Sequence, residues 1–81
     1  VSYVYILRCG DGSFYTGIAK ELEQRVKQHQ VGKGARYTRT HLPVELVWQR
    51  KMGTWKAAMK EEARIKKLSR KQKLRLIGES G

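Results

Sequence analysis

The chain opens on a run whose alternating faces are both apolar. Val1, Tyr3, Tyr5 and Leu7 fall on one side, Val4 and Ile6 on the other, until Arg8. That pattern predicts a strand over Val1–Cys9 covered from both directions. Gly10-Asp11-Gly12-Ser13 is a turn signal, and Phe14-Tyr15-Thr16-Gly17-Ile18 reads as the return strand of a hairpin. Loop length then decides which side chains share a face. A two-residue Asp11-Gly12 turn would pair Gly10 with Ser13 and put Tyr5 and Tyr15 on opposite faces. A three-residue loop, Gly10-Asp11-Gly12 with Gly12 left-handed, pairs Leu7 with Tyr15 and brings both tyrosines to one face. The second register is the expectation.

From about Lys20 to Val31 the pattern turns helical, with Leu22 and Val26 on one face and Glu21, Glu23, Gln24 and Lys27 on others. Gly32 and Gly34 follow as stops, and no capping residue stands just before Glu21. Gly32–Pro43 reads as a polar, basic connection. Val44–Lys51 gives a third strand through Val44, Leu46, Val47 and Trp48. After the break at Gly53-Thr54, Trp55–Leu68 reads as a second helix rich in Ala, Lys and Glu. Ser69-Arg70-Lys71-Gln72 has the form of a capping box, opening a short last helix through Ile77, with fraying expected from Gly78 onward. The order β-β-α-β-α-α implies an α+β domain over residues 1–78, with a frayed terminus at 79–81. Its sheet is three-stranded and at least partly antiparallel, with helices packed on it.

Charge changes the picture most. Eighteen Lys+Arg against seven Asp+Glu give a formal net charge of +11 on 81 residues. Self-repulsion of that size is commonly offset by a polyanionic partner whose counterions are released on binding. Nucleic acid is the leading candidate, a solubilising excess of lysine the plain alternative. An anionic membrane surface fits less well, because no helix shows a strong apolar face rich in Trp or Phe. Hydrophobic residues at 40% exclude a wholly disordered basic tail. There is no membrane-length apolar run and no signal-peptide pattern, and the first residue is Val1 rather than Met, as in a trimmed chain. The single cysteine, Cys9, cannot form an internal disulfide, and with His29 and His41 it falls short of a four-ligand zinc site. A cytoplasmic, cofactor-poor single domain, monomeric in isolation, is the expectation.

Carboxylates are few: Asp11, Glu21, Glu23, Glu45, Glu61, Glu62 and Glu79. Two-metal nucleases need several acidic ligands around ions about 4 Å apart. Glu61 and Glu62 are adjacent, but neighbours on a helix diverge by roughly 100°. One hard cation held by one carboxylate plus substrate phosphates remains open. On a helical wheel the stripe Trp55, Ala58, Met59, Ile65 and Leu68 is centred between the two glutamates, each about 50° to one side. Either could edge the core. Equally, they could be a solvated pair tied to later basic residues, such as Glu62 with Lys66. Geometry does not choose.

Arg25 and His29 are four apart and share a helix face. A guanidinium fork matches phosphate oxygens, and a nearby imidazole can donate to or accept from a reacting oxygen. An exposed basic face that binds nucleic acid without chemistry satisfies the same spacing. Tyr3, Tyr5 and Tyr15 lie on the hairpin and Tyr37 in the basic loop. Strand tyrosines are usually core, yet a phenol can act as a general base when cations lower the cost of its anion.

Taken together, Tyr3-Val4-Tyr5, then Tyr15-Thr16-Gly17, Arg25 and His29 on the next helix, and a glutamate on a later one resemble the GIY-YIG endonuclease superfamily, particularly its small stand-alone bacterial members. The likeness runs from about Ser2 to Ile77. It includes Asp11-Gly12-Ser13, Gly32-Lys33-Gly34-Ala35-Arg36-Tyr37-Thr38, and Glu62-Ala63-Arg64-Ile65-Lys66-Lys67-Leu68. It implies a three-stranded antiparallel sheet flanked by helices and a divalent-metal-dependent phosphodiesterase acting on DNA, or on RNA. By matching position, Tyr5 would activate water or act as general base, and Tyr15 would bond near the scissile phosphate. Arg25 would stabilise the phosphorane-like charge and His29 would assist the proton relay. Glu62 would hold a single Mg²⁺ or Mn²⁺, weakly without substrate. Lys33, Arg36, Tyr37, Arg39, Lys66 and Arg70 are the candidate contacts to nucleic acid. Tyr3 and Thr16 replace the Gly and the second Ile of the family's name. The asparagine that larger relatives carry after the metal glutamate has no counterpart, since the chain contains none. The expected function is a structure-selective endonuclease linked to DNA repair or processing. The rivals are a non-catalytic nucleic-acid-binding module on the same fold and a plain structural or ribosome-associated basic protein.

Overall fold

Strand β1 (Ser2–Arg8) is the middle of the sheet in the computed structural model, which describes residues 1–80. Strands β2 (Phe14–Ala19) and β3 (Glu45–Met52) flank it, both antiparallel, in the order β2-β1-β3. Helices α1 (Leu22–Gln30) and α2 (Arg36–Arg39) lie between β2 and β3 in sequence, and α3 (Trp55–Lys66) and α4 (Arg70–Ser80) follow β3. The sheet is antiparallel throughout, with helices flanking it, as the resemblance implied.

A central strand must bury both sides, and β1 does so with two separate clusters. Tyr5, Leu7 and Cys9 pack with Ala19, Val26 and Val44 on the α1 side. Val4 and Ile6 pack with Trp48, Ala58 and Ile65 on the α3 side. The register of β3 slips between Ile6 and Leu7, which face Trp48 and Leu46 respectively. The residue left between them, Val47, joins Trp48 against the α3-side cluster, as a bulge allows.

The hairpin has the three-residue loop. Leu7 pairs with Tyr15, Cys9 and Ser13 close the loop with a 2.8 Å backbone bond, and Gly12 sits at φ +86°. A side chain at that φ would be strained, so glycine is required there. Tyr5 and Tyr15 therefore share a face.

Helix α1 starts at Glu21 without a side-chain cap. The segment read as an irregular basic connection contains the one-turn helix α2, which buries Thr38 completely. Helix α3 departs from the expected stripe. Trp55 and Met59 are exposed, and Ala58, Glu61, Glu62 and Ile65 form the inward line. The i, i+3, i+4, i+7 spacing runs through both glutamates, which are half-buried. Trp55 instead lies under the Lys20 ammonium, 5.6 Å from the ring centre.

The capping box at α4 forms as read: Gln72 N–H donates to Ser69 Oγ (3.2 Å) and Ser69 N–H to Gln72 Oε1 (2.9 Å). The helix continues through Gly78 to Ser80, beyond the expected end at Ile77, while Gly81 lies outside the described residues. Ser69→Ala should lower stability by about 1 kcal/mol, read as a shift in the urea midpoint without a change in slope.

Candidate active site

Opposite Tyr5 on β2 stands Gly17, and the phenol lies across it. A Cβ there would be 2.5 Å from the Tyr5 oxygen and 2.6 Å from its Cζ. Glycine thus makes the floor on which the Tyr5 ring rests. Helix α1 covers this face and brings Arg25 and His29 to it, one turn apart. The Tyr5 hydroxyl is 2.8 Å from His29 Nε2, and His29 Nδ1 is 2.7 Å from Thr38 Oγ1 on α2. The Thr38 hydroxyl donates to the Ala35 carbonyl (2.9 Å), which leaves it to accept from Nδ1–H. Nε2 is then the acceptor of the Tyr5 O–H. The Ala35 N–H also approaches Nδ1, at 3.3 Å, and favours the opposite tautomer. The shorter contact decides the assignment. The pair is sealed in: Tyr5 is 1% exposed and His29 0%.

Burial is the main cause that raises the Tyr5 phenol to about 12, with Tyr15 adding to it; Arg25 opposes through a hydrogen bond and its charge, and Glu62 adds a smaller push upward. Burial first and the Arg25 charge second push His29 down to about 4. At neutral pH the shared proton therefore rests on oxygen and the imidazole is uncharged. Tyr15, Arg25 and Glu62 thus all lie within electrostatic reach of the one phenol. Tyr15 also packs against His29 at 5.3 Å between ring centres. Arg25 is half-buried and donates to Gln28 Oε1 at 3.0 Å.

The two glutamates separate clearly. Glu61 accepts from Arg50 on β3 and from Arg64 Nε at 2.6 Å, and Arg64 foremost, with Arg50, holds its carboxyl below the usual range. It ties α3 to the sheet. Glu62 has one ion-pair partner among the described residues, Lys66, at 3.4 Å. No group of three or more His, Cys, Asp or Glu side chains that could hold a metal occurs among the described residues. The donor set fits a hard cation held through one carboxylate, with water and phosphate oxygens completing its shell.

Lys33, Arg36 and Arg39 are exposed on α2 and the loop before it. Tyr37 is exposed too, and its ring stacks on His41 at 4.2 Å. Arg70 donates to the Gly12 carbonyl (2.7 Å) and lies 4.9 Å over the Phe14 ring, fastening α4 to the hairpin turn. Thr38, which orients His29, was not singled out as a site residue; its signal was a small hydroxyl residue within the Gly34-Ala35-Arg36-Tyr37-Thr38 stretch. A surface groove of about 590 Å³ lies between α1 and β3 and is lined by Tyr3, Leu22, Val26 and Leu46 among others. None of Tyr5, Tyr15, Arg25, His29 or Glu62 lines it.

Among the described residues no helix is long and apolar enough to cross a membrane. Residues 1–75 match the GIY-YIG catalytic domain. A UPF0213 protein of Staphylococcus saprophyticus is 49% identical over 77 residues, covering 95% of this chain and 94% of that protein. One from Streptococcus sanguinis is 50% identical over 78 residues, covering 96% and 90%. The solution NMR structure of a UPF0213 protein from Bacillus halodurans is similar with a TM-score of 0.65 at 44% identity, over 99% of this chain and 85% of that one. With a family match over nearly its whole length and relatives at about half identity, the chain belongs to the GIY-YIG family and, through it, to a nuclease superfamily.

Proposed function

We propose that the chain is a divalent-metal-dependent DNA endonuclease that hydrolyses phosphodiester bonds in branched, damaged or otherwise distorted DNA during repair or processing. The observation that carries this reading is the Tyr5–His29 hydrogen bond, with Tyr15, Arg25 and Glu62 all acting on the same phenol. Tyr5 accepts a proton from the attacking water while its own passes to His29 Nε2, the P–O bond to the leaving sugar oxygen breaks, and that oxygen takes its proton from solvent water. The Arg25 charge eases negative charge building on the phenol oxygen as the protons move. Arg25, half-buried, also stabilises charge growing on the phosphate oxygens, where a guanidinium fork is well matched. Tyr15 positions the phosphate through its hydroxyl. Glu62 would hold a single Mg²⁺ or Mn²⁺, which when bound would supply neutralisation of phosphate charge.

Purified protein with branched, plasmid and single-stranded DNA plus Mg²⁺ or Mn²⁺ should give cleavage, reduced about 100-fold or more in Glu62→Gln and in Tyr5→Phe. Equal nicking by both variants would reject the assignment and point to a contaminating nuclease. One observation favours a second reading, a binding module without catalysis: Tyr5 and His29 have almost no exposed surface, so the resting phenol offers nothing directly to substrate. DNA binding with no cleavage in any metal would decide for it.

A further inference from the structure

A second pocket, about 250 Å³, wraps the free edge of the sheet beside the candidate site. Phe14, Tyr15, Thr16, Tyr37, Lys66 and Lys73 line it, so β2, α2, α3 and α4 all contribute a wall. Its lining is an unusual combination of fixed aromatic rings, one orphaned hydroxyl and two ammonium groups.

Tyr37 is 40% exposed, yet it is held from several directions. Its hydroxyl donates to Ser13 Oγ at 2.6 Å, and Ser13 in turn donates to Asp11 Oδ1 at 2.6 Å. The His41 ring lies nearly parallel to it, at 10°, and Tyr15 lies at 20° with centres 6.1 Å apart. His41 is absent from the pocket lining. Fixing an exposed ring costs side-chain entropy that burial does not return, and what it gains is a surface ready for a flat ligand.

Thr16 supplies an independent observation. It is 3% exposed, and its Oγ1 is buried without a hydrogen-bond partner among the described residues. An orphaned hydroxyl is destabilising, and a group that can bond to it recovers the loss. Thr16 is also the position where the family's name has isoleucine, so the departure from the motif is what brings the polar atom.

Lys73 is half-buried and makes no ion pair among the described residues. Lys66 links the pocket to Glu62, 3.4 Å away. An apolar ligand would leave the hydroxyl and ammonium groups unanswered, and a bare phosphate would leave the rings uncovered. A nucleotide answers all of them, through a π face, a hydrogen-bonding edge and an anion.

We propose that this pocket is a nucleobase subsite, receiving one DNA base turned out of its stack next to the scissile phosphate; it rests on the nuclease reading above. A base inside a duplex has both faces covered by its neighbours, so the subsite selects DNA with unpaired nucleotides. Tyr37 supplies the stacking surface, Lys73 holds the adjoining phosphate, and a base entering at the sheet edge parts the lining to reach the buried Thr16 Oγ1, which bonds its edge.

The test measures binding in EDTA, where cleavage is not required. Two labelled 12-nucleotide strands of equal charge are compared, an oligothymidylate and the same sugar-phosphate chain without bases. The protein should bind the first about tenfold more tightly. Tyr37→Leu and Thr16→Val should each shrink that ratio several-fold while leaving affinity for the base-less strand unchanged. Tyr37→Phe, which keeps the ring, should retain the ratio. Thr16→Val should melt no lower than the parent, because the hydroxyl it removes has no partner. Equal binding of the two strands, or a ratio untouched by both Tyr37→Leu and Thr16→Val, would overturn the subsite. Cleavage with Mg²⁺ is scored separately. Base preference without cleavage would sink the nuclease reading alone, and cleavage without base preference would sink the subsite alone.

Discussion

Replacing Gly17 with alanine should abolish cleavage and lower stability by about 1–3 kcal/mol, the range for overfilling a packed interior. The new methyl carbon would stand 2.5 Å from the Tyr5 oxygen, 2.6 Å from Cζ and 3.2 Å from Tyr15 Cε2. An exposed phenol could swing aside at little cost. This one cannot, because it is 1% exposed and bonded to His29. The ring must leave its partner or push α1 outward, and either movement breaks the relay. Gly34→Ala should act from the other side, since its methyl would collide with the His29 ring. Gly53→Ala is the control, with nothing within 4 Å of the added carbon. A nicking assay and a urea titration on the three variants check this. Parental cleavage by Gly17→Ala would show that the Tyr5 phenol takes no part in the reaction.

Stability should also fall on mild acidification, through His29. The folded chain keeps this imidazole neutral down to about 4, whereas the unfolded chain takes a proton near 6.5. Between those values the unfolded state binds more protons, so stability rises with pH across that window and falls as pH drops through it. Going from pH 7.5 to pH 5 should cost about 2 kcal/mol, or roughly 10 °C in melting temperature for a domain of this size. Asp11 and Glu61, both held below the ordinary carboxylate range, act mainly at lower pH, which keeps the windows apart. His29→Gln should flatten the profile between pH 7.5 and 5. Equal slopes in parent and variant would mean that the imidazole is not held neutral by its surroundings.

The parts of the fold that were legible in the sequence were those where one strong local signal had no competitor. Apolar residues on both faces of β1 required two covering layers. The Gly10–Gly12 loop, with glycine where φ is positive, fixed the register and so the common face of Tyr5 and Tyr15. The Ser69/Gln72 box marked the start of α4. What stayed hidden depended on tertiary partners. Helix α2 is a single turn in a basic stretch, too short for any periodicity, and it exists to place Thr38 under His29. The wheel for α3 assumed that Trp55 and Met59 face inward because they are large and apolar. Lys20 and solvent take that side instead, and the glutamates occupy the inward line. Spacing could not divide Glu61 from Glu62, because the difference is made by Arg50 on a separate strand.

The Tyr5 phenol and the four groups that act on it come from both layers: Tyr5, Tyr15, Arg25 and His29 on the α1 side, Glu62 on α3 beyond the sheet. Neither layer alone owns a complete set. A chain that kept its secondary structure but let its two halves slide would retain each of these residues and lose their chemistry, much like a lock whose pins are intact in a loosened barrel. If these residues carry the proposed reaction, its rate is a report on the mutual registry of the halves. On the nuclease reading proposed above, such a requirement also keeps a half-assembled molecule from cutting DNA.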